Sequence, residues 1–161
     1  MSIYFTPATY YKHLTMNVPN IYQFIDGPYN MIYNFGILLT LSVFGAITYF
    51  VLKKSVNFDN QKIITFMLLS VLICNFFLPA MHERYLFLAD VLSVIWYIFN
   101  KEKIFVPIGI NLISLLIYMN FLDNSITAVE MRALSILLGF ITFELFRYFI
   151  KLCNSKKDGV L

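Results

Sequence analysis

Residues Met31–Leu52 read MIYNFGILLTLSVFGAITYFVL and contain no Asp, Glu, Lys or Arg. About 20 mostly apolar residues in a helix cross the hydrocarbon core of a bilayer. A helix that is apolar all round needs hydrocarbon on every side, or a core larger than a chain of 161 residues can build. Four further runs follow the same pattern: Ile63–Leu78, a run to Phe99 that opens at Pro79 or Tyr85, Ile104–Leu122, and Ala128–Ile150. The runs are too long for barrel strands, and only helices or closed barrels satisfy the backbone in lipid. The sequence therefore specifies an all-α fold: a polytopic membrane helix bundle of about five transmembrane helices joined by short connections. Composition agrees, with 60% hydrophobic and 13% charged residues, against about 25% charged in soluble domains.

A net charge of +3 without a basic, aromatic-laced patch gives no signal for nucleic acid, and none is expected as a partner. Ile, Asn, Lys, Phe and Tyr are abundant, as in AT-rich bacterial genomes. Cys74 lies in an apolar run and Cys153 in a basic tail, at different expected depths, so neither a disulfide nor a metal-like spacing is expected.

Orientation follows from cations. If five helices alternate, Lys53, Lys54, Lys62, Lys101, Lys103, Lys151, Lys156 and Lys157 share one side, and Lys12, Arg84 and Arg132 the other. Arg147 can snorkel to the lysine side. That side is expected to be cytoplasmic, with the C-terminus there and the N-terminus extracytoplasmic, in a bacterial plasma membrane. The chain divides into an extracytoplasmic segment 1–30, a five-helix transmembrane module 31–152 and a basic cytoplasmic tail 153–161. Within 1–30, Asn17 and Pro19 mark a short interfacial helix, with Ile21, Tyr22, Phe24 and Ile25 facing the membrane and Asp26-Gly27-Pro28 breaking it. An outside N-terminus without a secretory signal or a preceding span points to the C-terminal part of a larger protein.

The stretch LPAMHERY, residues 78–85, sets His82, Glu83 and Arg84 side by side between two apolar runs, with Pro79 in the first turn of the third helix. Arg offers a donor fork suited to phosphate. His donates to the same anion or exchanges protons, and Glu orients the His or binds a sugar hydroxyl. Asp90 follows Glu83 by nearly two turns, which puts both on one helix face roughly 10 Å apart. A carboxylate at that depth must be neutral, paired or beside a wet cavity. The competing reading makes the trio an interfacial anchor. Asn75 and Asn111 are candidates for interhelical hydrogen bonds, and Glu144 with Arg147 for a pair on the last helix.

Taken together, NVPNIYQFI at 17–25 and FFLPAMHERYLFLAD at 76–90 resemble the C-terminal half of polytopic membrane glycosyltransferases of the GT-C superfamily, closest to bacterial proteins related to the GPI mannosyltransferases. The resemblance covers about residues 15–95, and Met-His-Glu-Arg-Tyr is its most specific motif. It implies transfer of a sugar from a polyprenyl-phosphate carrier to an extracytoplasmic acceptor. His82, Glu83 and Arg84 then hold the donor's phosphate and sugar, with Asp90, Asn17 and Asn20 completing the substrate-binding set. Such enzymes invert and take their general base from an early outer loop, which has no counterpart here. The catalytic residue is thus unassigned, the chain is expected to be inactive alone, and an N-terminal partner chain would complete the fold. Membrane lipids are the other partner. No cofactor is expected; a divalent metal is compatible with the chemistry, but the sequence offers no site for one. The rival reading is a non-enzymatic membrane subunit, a flippase-like component or a small transporter that uses the Glu83/Asp90 face.

Overall fold

The computed structural model describes residues 13–123 and 126–155, Glu102 by its backbone alone. Lys12, Lys156, Lys157 and most of the basic tail lie outside the described residues. Among the described residues five α-helices follow one another: α1 (Tyr29–Lys53), α2 (Asn60–Phe77), α3 (Leu86–Phe99), α4 (Phe105–Asp123) and α5 (Ala128–Asn154). Two short strands, β1 (Thr15–Met16) and β2 (Met81–His82), and three 3-10 turns at Ile21–Phe24, Glu83–Tyr85 and Lys101–Lys103 fill the connections.

Local chemistry sets the helix ends. The Asp59 side chain accepts from the Lys62 amide at 2.9 Å and caps α2. Thr127 and Glu130 form a reciprocal capping box that starts α5. At the other end of α2, Leu78 is extended (φ −79°, ψ 130°). The following proline forbids it the helical region, so α2 stops there.

Helices α1, α2, α4 and α5 are long and apolar enough to cross a membrane. Helix α3 has 14 residues and rises roughly 21 Å, short of a core about 30 Å thick. Of the two starts expected for the third helix, Pro79 is corrected and Tyr85 is met within one residue. Ala80 adopts φ 57°, Met81–His82 is extended, and Glu83–Tyr85 winds as a 3-10 turn. Helical geometry begins only at Leu86.

The core lies where α2, α3 and α5 meet, with α4 packed on α3 and α5 and with α1 against α2. Leu68, Leu72, Leu86, Ile110, Ile117, Leu138 and Leu145 are almost wholly buried there. The outer faces are equally apolar: Phe35, Phe87, Val94, Leu115, Ile136 and Phe140 all stand exposed. Apolar faces this extensive, on four helices long enough to span, suit an integral membrane protein.

The helices alternate in direction, and polar contacts tie their ends. At one end Gln61 Nε2, at the start of α2, donates to Asn100 Oδ1 and to the Tyr148 hydroxyl, both at 2.9 Å. Lys103 lies over the Tyr148 ring at 5.2 Å. Lys53, Lys54, Lys62, Lys101 and Lys151 belong to the same end. Arg147 pairs with Glu144 at 2.8 Å. The expected collection of lysines at one end is present for every lysine from Lys53 to Lys151.

Candidate functional site

The opposite end carries a cap built from residues 14–25. Strand β1 runs parallel to β2, with Thr15 opposite Met81 and Met16 opposite His82, and the Ala80 amide donates to the Leu14 carbonyl at 2.8 Å. The Asn17–Asn20 loop and the His82–Arg84 turn, distant in sequence, thus leave one two-stranded junction. Val18, just beyond β1, is completely buried and belongs to the helical core. The Thr15 hydroxyl donates to its carbonyl at 2.7 Å, as does Gln23 Nε2 at 3.2 Å.

Asn20 supplies the N-cap of the 3-10 turn: its Oδ1 accepts from the Tyr22 amide at 3.1 Å. The expected helix start at Asn17 and Pro19 therefore moves to Asn20, and the segment is a four-residue 3-10 turn. Tyr22 does not face the membrane as expected. It is 5% exposed, and its hydroxyl donates to the Phe77 carbonyl at the end of α2. Burial pushes its phenol up to about 12. Gly36 of α1 makes the room: a Cβ there would lie 2.0 Å from the Tyr22 oxygen and 3.0 Å from Pro79 Cδ. Arg132 Nε of α5 donates to the Gln23 carbonyl at 3.1 Å, which fastens the cap from a third side.

In the His82–Arg84 turn the three side chains differ sharply in exposure. Glu83 is buried, its side chain 9% exposed, whereas that of His82 is 38% and that of Arg84 80% exposed. Glu83 Oε2 stands 3.9 Å from His82 Nδ1 and Oε1 stands 3.7 Å from Arg84 Nε. The buried carboxylate lies between the imidazole and the guanidinium, and the Arg84 head is the most exposed of the three. The backbone beneath is constrained: Asn17 (φ 55°) and Ala80 (φ 57°) are both left-handed. Asn accepts that region readily, whereas Ala there costs about 1–2 kcal/mol.

Asp90 does not join this group. Its Oδ2 accepts from the Ser114 hydroxyl of α4 at 2.6 Å, and its Oδ1 is buried without a hydrogen-bond partner. One turn along, Asn111 Nδ2 donates to Ser93 Oγ at 3.2 Å, the expected interhelical bond. Asn75 bonds mainly within its own helix, to the Val71 carbonyl at 2.9 Å, with a longer reach of 3.5 Å to the Tyr85 carbonyl. The shared Glu83/Asp90 face is therefore replaced by two separate polar sites, one on the cap and one between α3 and α4. Of the expected set, the fold gathers Asn17, Asn20, His82, Glu83 and Arg84 around one junction and leaves Asp90 apart. Asn20 Nδ2 is buried and unpartnered.

Tyr22, Gly36 and Ser114 were not legible as parts of these sites, whereas Arg132, expected with Glu130 to flank the outer end of the last helix, does reach the cap. Only the isolation of Ser114 and Gly36 within apolar runs hinted at a special role. Among the described residues no three His, Cys, Asp or Glu side chains converge as metal ligands do. No protein-family model matches the chain. No curated protein and no solved structure matches it either.

Proposed function

We propose that the chain is the donor-binding module of a membrane glycosyltransferase that takes sugar from a polyprenyl-phosphate carrier. In this reading Arg84 and His82 bind the phosphate, Glu83 fixes both heads, and Asn17, with Asn20 beneath it, stands on the sugar side. The capped end is extracytoplasmic, in a bacterial plasma membrane, and the lysine end cytoplasmic. Helix α3 completes a fifth crossing with the help of its flanking 3-10 turns, and the 3-10 turn at Ile21–Phe24 lies at the interface. No residue of the cap is assigned as the general base; an acidic residue on a partner chain supplies it.

The observation that supports this reading is the β1–β2 junction. The two segments that carry the glycosyltransferase resemblance, remote in sequence, emerge side by side from it. A simple interfacial anchor has no need of that arrangement. The test is binding of a polyprenyl phosphate and of its hexose-bearing form to the protein in nanodiscs. Arg84→Ala is expected to weaken binding roughly tenfold or more, the worth of a charge-assisted hydrogen bond. Undiminished binding by Arg84→Ala and His82→Ala would remove the site.

One observation favours a second reading. Asp90, Ser114, Asn111 and Ser93 form a polar strip between α3 and α4, the kind of intramembrane group that marks a proton or substrate path. A non-enzymatic subunit or small transporter would lose function with Asp90→Asn and keep it with Arg84→Ala; the donor-binding module would do the reverse.

A further inference from the structure

Between α1, α2 and α5 runs an apolar groove of about 390 Å³, lined by residues that include Val43, Phe50, Phe76, Phe146 and Ile150. Its wall has one hydroxyl, that of Thr142, which is consumed by the Leu138 carbonyl at 2.7 Å. Nothing in it can hold a polar solute. The groove exists because α1 leans on α2 and leaves the facing flank of α5 uncovered.

Its two ends differ. Toward the cap, Phe76 closes it by lying on Gly139, where a Cβ would stand 2.9 Å from the ring. Toward the lysine end it runs out at Phe50 and Ile150. Lys53 and Lys54 follow Phe50 within about a turn, and Lys151 follows Ile150 directly. Lys53 and Lys54 at the end of α1 and Lys151 in the last turns of α5 thus stand at the level of the open mouth, with the Lys53 ammonium 5.6 Å from the centre of the Tyr49 ring. From Gly139 to Ile150 a helix rises roughly 16 Å, about half of a 30 Å hydrocarbon core.

We propose that this groove holds one acyl chain of an anionic phospholipid from the leaflet on the lysine side, with its phosphate at Lys53, Lys54 and Lys151. The depth matches one leaflet, the apolar lining an acyl chain, and the lysines at the level of the mouth the headgroup. The site lies at the opposite end from His82–Arg84 and is independent of the function proposed for them.

The test uses the full chain, extracted into mild detergent from vesicles of equimolar phosphatidylcholine and phosphatidylglycerol, with retained lipid counted by native mass spectrometry. One phosphatidylglycerol per protein is expected, in preference to phosphatidylcholine. Ala46→Phe, which fills the groove from its exposed lip, should abolish retention. Substituting Lys53, Lys54 and Lys151 by Gln should reduce the anionic preference by about fivefold per lysine while a chain is still retained. Should Ala46→Phe fail to fold, as judged by circular dichroism, the lysine variants decide alone. Equal retention of both lipids by the wild type, or no response to the lysine substitutions, overturns the proposal. So does a groove filled by a second copy, seen as a dimer that Ala46→Phe dissociates. Retention of a polyprenyl phosphate in place of phosphatidylglycerol, lost with Arg84→Ala, would assign the groove to the donor and equally overturn it.

Discussion

Gly36 and Gly45 lie on the same helix, and substituting each by Ala should have opposite consequences. At Gly45 an added Cβ meets nothing within 4 Å. The change should be neutral or stabilise by up to about 1 kcal/mol, the helix-propensity difference. At Gly36 the same methyl would stand 2.0 Å from the Tyr22 hydroxyl and 2.9 Å from its Cζ. The phenol cannot swing aside without breaking its hydrogen bond to the Phe77 carbonyl, worth about 1 kcal/mol. Overpacking adds about 1–3 kcal/mol, against which propensity returns about 1. The net expectation is a loss of about 1–3 kcal/mol for Gly36→Ala. Reversible unfolding by SDS in mixed micelles, followed by circular dichroism, measures both variants. The clash also predicts coupling: once Tyr22→Ala has emptied the site, only the 3.0 Å approach to Pro79 Cδ remains, and Gly36→Ala should cost markedly less than in the wild type. Equal stability of the two glycine variants, or strict additivity of Gly36→Ala with Tyr22→Ala, would refute the claim that Tyr22 pins the cap to the bundle. Because the cap carries the Asn17–Asn20 loop, Gly36→Ala should weaken polyprenyl-phosphate binding as well.

Tyr22 also gives a pH dependence. Its folded value lies above the unfolded value of 10.0, at about 12, so the folded state keeps a proton that the unfolded state releases. The contribution is fully present below pH 10 and is lost as pH rises toward 12; in Tyr22→Phe that alkaline loss should shrink, as equilibrium unfolding against pH will show. Ala80→Gly relieves a left-handed Ala and should leave stability equal or higher by up to about 1 kcal/mol; a clear loss in an unfolding titration would contradict the strain. Thr65→Val strips Trp96 Nε1 of its acceptor at 2.9 Å and should cost about 1–3 kcal/mol, with a shift in emission of the single tryptophan as a local readout. Single cysteines at residues 82 and 54, in a background without Cys74 and Cys153, should label from opposite sides of a sealed vesicle; labelling from one side would break the orientation.

How far the sequence could be read depended on the range of the interaction. Hydropathy is a local property, and the uncharged run Met31–Leu52 required hydrocarbon before any partner was known. The alternation of lysines is nearly as local, since it needs only the order of the helices, and the structure gathers Lys53 through Lys151 at one end. Helix ends were legible where a neighbour dictates them, as Pro79 does for Leu78. They were misread where a tertiary contact prevails: His82–Tyr85 looked like the first turn of a helix, but β2 takes its pairing from β1. The Glu83/Asp90 face failed for the same reason. Helical spacing assumes a continuous helix, and the extended and 3-10 backbone before Leu86 breaks it.

The amino-acid sequence by itself determined that this chain is a bundle of membrane helices with a cationic end and a polar motif at the other, because transfer from water to hydrocarbon is additive along the chain. Only the tertiary structure decided that residues 15–25 fold back as a cap on that motif, that Tyr22 is its pin, and that Asp90 belongs to Ser114 instead of Glu83. Helices apolar on every side carry almost no periodic mark of which face packs, so those choices rest on shape: a missing Cβ at Gly36, a ring laid on Gly139, and two short strands that meet only when the helices are already in place.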